Sequence, residues 1–189
     1  MQRKIVFDMD DTLWDLNKRA CRMARINFDK LQTFSLTDNP LLTESEKTRL
    51  SNVYNSVDLW RDIVWDPYAV DIITLEKLGA KVFINSNCLN QTVADFKRQF
   101  VPTDLKLPDN QVMLNVVIDG KRKKLDDDMF IFVDDSPFNI GKSTAKYNII
   151  PNKPWNQDAV GYRRESLKDI IELCKDLLRR DDNEQRLNT

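Results

Sequence analysis

The sequence contains no histidine among its 189 residues. This absence excludes Ser-His-Asp and Cys-His catalysis, histidine general bases and most transition-metal sites. Any acid–base catalysis therefore falls first to carboxylates, with Lys, Tyr or Cys as weaker candidates. The chain also has only four glycines. None of them belongs to a Gly-rich phosphate loop, which argues against Walker-type and dinucleotide-binding sites.

The sequence also has few cysteines, no long apolar run and a net charge close to zero. The three cysteines (Cys21, Cys88 and Cys174) form no pair motif, which indicates buried thiols in a reducing compartment. No apolar stretch approaches the length of a membrane span, and the sequence starts directly in a strand-like run, so we expect a cytoplasmic protein without a membrane partner. The formal net charge of -1 gives no electrostatic case for a nucleic-acid partner.

Apolar strand-like runs alternate with helix-like segments along the chain. This alternation predicts an α/β fold, a Rossmann-like doubly wound parallel sheet covered on both faces. The stretch from Leu13 to Asp66 contains no convincing strand, so we expect a small helical cap inserted after strand 1. The predicted division is a core of residues 1–14 and 66–180, a cap of residues 15–65 and a polar C-terminal tail of residues 181–189.

Local signals predict several element ends. Thr43 and Glu46 have the spacing of a capping box and open a helix. A helix over about residues 90–100 is predicted to end before Pro102, because proline disfavours a helix interior. Residues 116–124 resemble a small hairpin.

Polar residues follow three of the predicted strands. Asp8 and Asp10 follow the first strand, Ser86 ends a later one, and Asp134 and Asp135 follow another. Because the carboxyl ends of parallel strands meet at one edge of a sheet, we expect these side chains to lie together. Carboxylates that repel one another at such an edge favour a bound cation, and Mg²⁺ with its oxygen ligands fits this set.

These motifs, in this order, resemble the haloacid dehalogenase (HAD) superfamily of phosphotransferases with an aspartate nucleophile. Asp8-Met9-Asp10-Asp11-Thr12 is similar to the first motif, Ser86 to the second and Asp134-Asp135 to the fourth. An acid at position 10 is similar to the phosphatase branch. Asp11 is the variable position and is expected to do no chemistry, whereas Thr12 is expected to brace the turn by hydrogen bonding.

The third motif of the superfamily is a lysine before the fourth motif. Lys124 has the best spacing, Lys121 and Lys123 are alternatives, and Arg122 is a poorer one. The same basic run could instead be a solvated hairpin. It could also contact a polynucleotide backbone, but the neighbouring acids at 126–128 neutralise it.

The resemblance implies a role for each residue. Asp8 would be the nucleophile that forms an aspartyl phosphate, and Asp10 the general acid and base. Mg²⁺ would be held by Asp8, the backbone carbonyl of Asp10 and Asp135, with Asp134 supporting the site or acting through water. The residues implied to bind the phosphoryl oxygens are Ser86, Asn87 and Lys124.

Within the superfamily, the sequence is most similar to the 5'(3')-deoxyribonucleotidases. The likeness rests on the insertion after the first motif, the step from Lys124 to Asp134 and the loop Pro154-Trp155-Asn156. It implies a small phosphomonoester substrate, a nucleoside monophosphate whose base needs an apolar wall. The candidates for this wall are Trp60, Trp65 and Phe34.

The chain departs from that family at Asp11, where glycine is frequent, and at Ser86-Asn87, where Thr-Ser is frequent. Three alternatives therefore stay open at this point: a phosphatase of another small metabolite, a protein or nucleic-acid 3'-end phosphatase, and a non-enzymatic HAD-like binding module. A homodimer also stays open.

Overall fold

A parallel β-sheet forms the centre of the computed structural model, which describes residues 2–36, 38–117, 125 and 127–187. Its strands are β1 (Arg3–Phe7), β2 (Ala80–Cys88), β3 (Val112–Val116), β4 (Met129–Val133), β5 (Tyr147–Pro151) and β6 (Tyr162–Arg164). The strand order is β3-β2-β1-β4-β5-β6, and each neighbouring pair is parallel. The predicted Rossmann-like α/β fold is confirmed, while β6 was not predicted.

Helices connect these strands. The α-helices are α1 (Leu16–Ala24), α2 (Glu44–Tyr54), α3 (Gln91–Leu105), α4 (Pro137–Lys142) and α5 (Leu167–Leu187). Short 3₁₀ segments lie at Phe28–Lys30, Val57–Leu59, Ala69–Leu78, Asp109–Gln111 and Pro154–Asn156. We call residues 15–65, which contain α1 and α2, the helical insertion. None of the described helices is long and apolar enough to cross a membrane.

β1 is the buried middle of the sheet. Ile5, Val6 and Phe7 are fully buried, and successive side chains of a strand point to opposite faces. Ile5 and Phe7 accordingly belong to one apolar cluster, and Val6 belongs to the cluster on the other face. The first cluster also contains Leu50 of the helical insertion, so the insertion packs on the same core as β1.

The start of α2 and the end of α3 can be compared with the predictions from local sequence. Thr43 and Glu46 form the predicted capping box at the start of α2, with both reciprocal bonds present. The expected end of α3 before Pro102 is wrong, because the helix continues to Leu105. Pro102 lies in the last turn, so it forgoes one helix hydrogen bond close to the end of α3, and its side chain is buried, as is that of Val101.

The last helix is longer than the sequence suggested. α5 continues to Leu187, where we expected a polar tail from residue 181. Asp181 is buried and accepts a hydrogen bond of 2.7 Å from Lys146, and Arg3 lies 2.8 Å from Asp182. These contacts of α5 with the sheet extend the helix. Most of the predicted hairpin at 116–124 lies outside the described residues.

Candidate active site

Three carboxylates meet at the carboxyl edge of the sheet. Asp8 follows β1, and Asp134 and Asp135 follow the neighbouring strand β4. The backbone N–H of Asp8 donates to the carbonyl of Val133 at 2.7 Å, which ties the two strand ends together. One oxygen of each carboxylate lies within 4.8 Å of the others. Asp8 and Asp134 thus lie together because they follow neighbouring parallel strands, although they are far apart in the sequence.

The cluster is electrostatically costly without a cation. Asp8, Asp134 and Asp135 are all buried. Burial first, and then the charges of neighbouring carboxylates, raise the pKa of Asp135 well above its ordinary value. A divalent cation reverses this cost because it favours the ionised form of each ligand. Buried carboxylate oxygens at this spacing are a donor set that suits Mg²⁺.

Neutral hydrogen-bond donors hold the two acids of β4 in place. The backbone N–H of Ser136 donates to Asp134 at 2.8 Å, and the Asn139 side-chain amide donates to both of its oxygens. The indole N–H of Trp155 donates to Asp135 Oδ2 at 2.8 Å. The Asn156 amide donates to the backbone carbonyl of Asp135 at 2.9 Å. The Pro154–Asn156 segment therefore orients a candidate metal ligand.

Asp10 lies in a different environment. Its Oδ1 accepts a hydrogen bond of 2.9 Å from the Trp14 indole. Its Oδ2 accepts from the Ser86 hydroxyl at 3.2 Å and from Lys97 Nζ at 2.6 Å. Both oxygens are thus engaged by donors, and one donor is a cation.

Lys97 is the site residue that the sequence analysis missed. It is fully buried, and its Nζ lies 3.0 Å from Ser86 Oγ and 4.1 Å from the centre of the Trp60 ring. A signal was present in the sequence, because Lys97 lies four residues from Val93 and from Val101. Residues at this spacing share one face of a helix, and the face of α3 that carries both valines is buried. The predicted Lys124, with Lys121 and Lys123, lies outside the described residues.

A cavity of about 400 Å³ opens over the carboxylates, and we call it the catalytic cavity. Residues of the sheet edge on its wall are Asp8, Asp10, Asn87, Asp134 and Asp135. The helical insertion lines the cavity with both polar and apolar residues. The polar ones are Asn17, Thr33, Ser51 and Asn55, and the apolar wall consists of Leu16, Leu31, Phe34, Leu36, Tyr54 and Trp60. Two of the three aromatic pocket candidates, Trp60 and Phe34, therefore border the catalytic cavity.

Trp65, the third aromatic candidate, lies elsewhere. Its indole N–H donates to Asp104 at 2.9 Å, and its ring packs against Phe100 with 6.4 Å between ring centres. It does not line the catalytic cavity. Trp65 thus packs against α3, whereas Trp60 is buried in the apolar core and also borders the catalytic cavity.

Comparisons with known proteins identify the fold. No family model and no curated protein matches the sequence. Among solved structures, a hydrolase from Pseudomonas syringae superposes with a TM-score of 0.61 at 17% identity, over 93% of this chain and 99% of that one. A HAD hydrolase of family IA, variant 3, from Entamoeba histolytica gives 0.56 at 14% identity, over 94% and 99%. The chain has the haloacid dehalogenase fold.

A third solved structure bears on the metal. A HAD hydrolase from Bacillus subtilis, solved with magnesium bound, superposes with a TM-score of 0.54 at 14% identity, over 92% of this chain and 99% of that one. At such identities the comparison establishes the fold and not the activity. The case for a metal here therefore depends on the acid cluster of this chain.

The turn that follows β1 depends on Asp11. Its backbone has a φ of 57°, a left-handed conformation that favours glycine and tolerates Asp. Asp11 Oδ1 accepts a hydrogen bond of 2.9 Å from the N–H of Asn17 and so caps α1, whereas Asp15 makes no side-chain capping bond. Burial raises the pKa of Asp11 to about 8, opposed by Lys153. Its visible role is therefore structural.

Thr12 does not brace this turn through its side chain. Its hydroxyl is buried and has no hydrogen-bond partner among the described residues, so the expected bracing hydrogen bond is absent there. The backbone closes the turn instead, because the N–H of Leu13 donates to the carbonyl of Met9 at 2.8 Å.

Proposed function

We propose that the protein is a Mg²⁺-dependent phosphomonoester hydrolase that works through an aspartyl phosphate on Asp8. One observation carries the proposal: the buried oxygens of Asp8, Asp134 and Asp135 lie within 4.8 Å of one another. Next to them, Asp10 accepts hydrogen bonds from Ser86 and Lys97. A nucleophile, an acid–base group, a metal ligand set and phosphate donors are the parts that this reaction needs.

The metal ligands in this proposal are Asp8, the backbone carbonyl of Asp10 and Asp135. Asp134 would act through water while Asn139 orients it. When bound, Mg²⁺ would neutralise the carboxylates and polarise the phosphoryl group. The raised pKa of Asp135 supports this assignment, because burial and its acidic neighbours leave a charge cost that a cation removes.

The first half-reaction transfers the phosphoryl group to Asp8. A carboxylate oxygen of Asp8 attacks phosphorus, the bond from phosphorus to the ester oxygen breaks, and Asp10 gives a proton to the departing oxygen. In the second half, Asp10 takes a proton from a water molecule. This water attacks phosphorus, the bond from phosphorus to Asp8 breaks, and orthophosphate leaves.

The phosphoryl oxygens would be bound by donors from β2, α3 and the basic run. Ser86 and Lys97 present a hydroxyl and an ammonium group 3.0 Å apart, and Asn87 lines the catalytic cavity. Lys124 remains a proposed fourth donor from the sequence motif. These cationic and polar donors offset the negative charge that nucleophile and phosphate bring together.

We further propose that the substrate is a nucleoside monophosphate and that the helical insertion is the substrate-binding cap. The support is the apolar wall of the catalytic cavity, to which Phe34 and Trp60 contribute aromatic rings. Phe34 is 45% exposed, so its ring is available to stack on a base. A cavity of about 400 Å³ is within the usual range for small-ligand pockets.

The test of the reaction uses Asp8→Asn, which removes the nucleophile with a change of few atoms. We expect release of phosphate to fall to background while the thermal unfolding curve stays close to wild type. Wild-type release should require Mg²⁺ and stop on chelation. Substantial hydrolysis by the folded variant would refute the assignment of Asp8.

The substrate is tested with a panel of phosphomonoesters. We expect faster release from dUMP and dTMP than from ribonucleotides, sugar phosphates and 3'-phosphorylated oligonucleotides. Preference for a sugar phosphate would favour another small-metabolite phosphatase. Preference for the oligonucleotide would favour an end-processing phosphatase, and no release from any of them would favour a binding module.

A further inference from the structure

Ser86 and Lys97 do not face the catalytic cavity directly. Both side chains are fully buried, and neither is among the residues that line the cavity. Asp10 does line the cavity, and its side chain remains 17% exposed. The carboxylate of Asp10 therefore stands between the cavity and the two donors.

The contacts of Lys97 require an anion at this position. Its Nζ lies 2.6 Å from Asp10 Oδ2 and 3.0 Å from Ser86 Oγ, and the Trp60 ring covers another side at 4.1 Å. Asp10 is the anionic partner among these three. A buried ammonium group without an anion is strongly unfavourable, so the charge of Asp10 can leave only if another anion replaces it.

A phosphoryl oxygen is a chemically equivalent replacement. Like a carboxylate oxygen, it carries negative charge and accepts charge-assisted hydrogen bonds from hydroxyl and ammonium donors. The two donors meet at one acceptor atom, Asp10 Oδ2. One oxygen can occupy this point at a time, so a carboxylate and a phosphate compete for it.

We infer that Asp10 acts as an internal stand-in for the substrate phosphate, and that the phosphoryl group displaces its Oδ2 from Ser86 and Lys97. The inference rests on the proposed function and deepens it, since it names the donor pair and the order of events. The Trp14 indole holds the other oxygen of Asp10 at 2.9 Å. Asp10 can thus turn about this bond, and the event that seats the phosphate frees Oδ2 for the leaving oxygen.

The exchange is tested by binding of inorganic phosphate, which needs no turnover. Isothermal titration calorimetry in saturating Mg²⁺ would compare wild type, Asp10→Asn, Lys97→Met and the double variant. Asp10→Asn removes the competing charge, so we expect phosphate to bind at least about tenfold more tightly than to wild type. Lys97→Met should weaken binding by about tenfold or more.

The double variant separates competition from a general charge effect. If Asp10 competes for Lys97, the tightening caused by Asp10→Asn should shrink strongly in the Lys97→Met background, because the two changes are coupled. The same factor in both backgrounds would overturn the exchange and assign the effect to net charge. If Lys97→Met does not fold, Ser86→Ala takes its place in the cycle with the same expectation.

The outcomes also separate this inference from the proposed function. Phosphate that binds wild type and Asp10→Asn equally would overturn the exchange alone, while Mg²⁺-dependent turnover would still support a phosphatase. Absence of phosphate binding in every folded variant would overturn the phosphate site and, with it, both proposals.

Discussion

Asp10 and Asp135 lie at the same sheet edge, but the groups that donate hydrogen bonds to them differ in charge. Asp10 has a lysine 2.6 Å away and accepts two further hydrogen bonds, from Trp14 and Ser86. The donors bonded to Asp135 are neutral, with the Trp155 indole on its side chain. Its pKa is raised well above the ordinary value by burial and by nearby carboxylates.

The two carboxylates therefore illustrate two kinds of charge compensation, one by a lysine of the protein and one by a proposed metal ion. On the side of α3, the protein supplies its own cation, Lys97, which lies 2.6 Å from Asp10 and for which a substrate phosphate would compete in the proposed exchange. On the side of β4, the described donors to Asp135 are the neutral Trp155 indole and Asn156 amide, which orient this residue but add no positive charge. A metal ion is the natural source of positive charge there. The proposed phosphate site is thus next to a buried lysine, and the proposed metal site is formed by clustered carboxylates.

The largest effect on turnover is expected from Lys97→Met, which removes the cation that compensates the charge of Asp10. The change keeps the volume but removes the cation. We expect turnover to fall by about 10²-fold or more, because an electrostatic donor is lost. The free energy of unfolding should fall by about 1–3 kcal/mol, since Asp10 loses its strongest donor. Steady-state kinetics and denaturant unfolding measure the two effects.

Arg98→Met is the matched control for this prediction. Arg98 is next to Lys97 on α3 but is 59% exposed, and its nearest carboxylate, Asp95, lies 3.8 Å away. A surface pair of this kind contributes little. If Arg98→Met reduced turnover as much as Lys97→Met, the effect would belong to α3 as a whole and not to the buried ammonium group.

A smaller effect is expected from Trp155→Phe, which weakens the support of Asp135 in the proposed metal site. The change removes the N–H that orients Asp135 and keeps an aromatic ring. Loss of such outer support should lower the apparent Mg²⁺ affinity by about tenfold. The measurement is the Mg²⁺ concentration at which the melting temperature rises, which does not depend on turnover.

Trp65→Phe serves as the control for Trp155→Phe. Its indole N–H donates to Asp104 at 2.9 Å, in a contact of similar length away from the carboxylate cluster. We expect no change in the Mg²⁺ requirement. An equal shift in both variants would show that the loss of an indole N–H acts through general stability.

The smallest effect is expected where the lysine–carboxylate pair lies near the surface. Lys30 Nζ is 2.7 Å from Glu46, almost the Lys97–Asp10 distance, but Lys30 is 38% exposed. The bond from Lys30, with support from Thr43, lowers the pKa of Glu46 to about 2. Its stabilising contribution is therefore present above the unfolded pKa and is lost as the pH falls towards about 2.

Lys30→Met should reduce the loss of stability that occurs as the pH falls towards about 2, without affecting turnover. Melting temperatures measured from about pH 5 down to about pH 2 should show a weaker pH dependence in the variant. High salt should reduce the difference, because exposed pairs are screened. A salt-independent loss as large as that of Lys97→Met would remove the distinction between buried and exposed pairs.

The acid cluster was the most predictable part of the site. Asp8, Asp134 and Asp135 follow apolar strands, and the carboxyl ends of parallel strands meet at one edge whatever the intervening sequence does. The parallel sheet followed from the same alternation. By contrast, β6 has the sequence Tyr162–Arg164, which is too short and too polar for a strand pattern.

Side chains positioned by tertiary packing could not be read in this way. Lys97 is a charged residue on an apolar helix face, and lysines are rarely fully buried. Its contact with Asp10 depends on how α3 packs against the sheet, which the sequence pattern does not indicate. Trp60 and Trp65 are both tryptophans of the helical insertion and look alike in the sequence. Trp60 borders the catalytic cavity, whereas Trp65 packs on Phe100. Sequence alone does not tell which side each ring faces.

The position of β1 in the middle of the sheet has a consequence for how the protein folds. Lys4 pairs with Lys81 on one side and with Met129 on the other. Such pairings join distant parts of the chain, and contacts of this kind form slowly. During synthesis, Asp8 is made long before its neighbour Asp135, so the acid cluster assembles only after more than half of the chain has been translated. Metal bound by these acids would therefore report that β1 and β4 have paired.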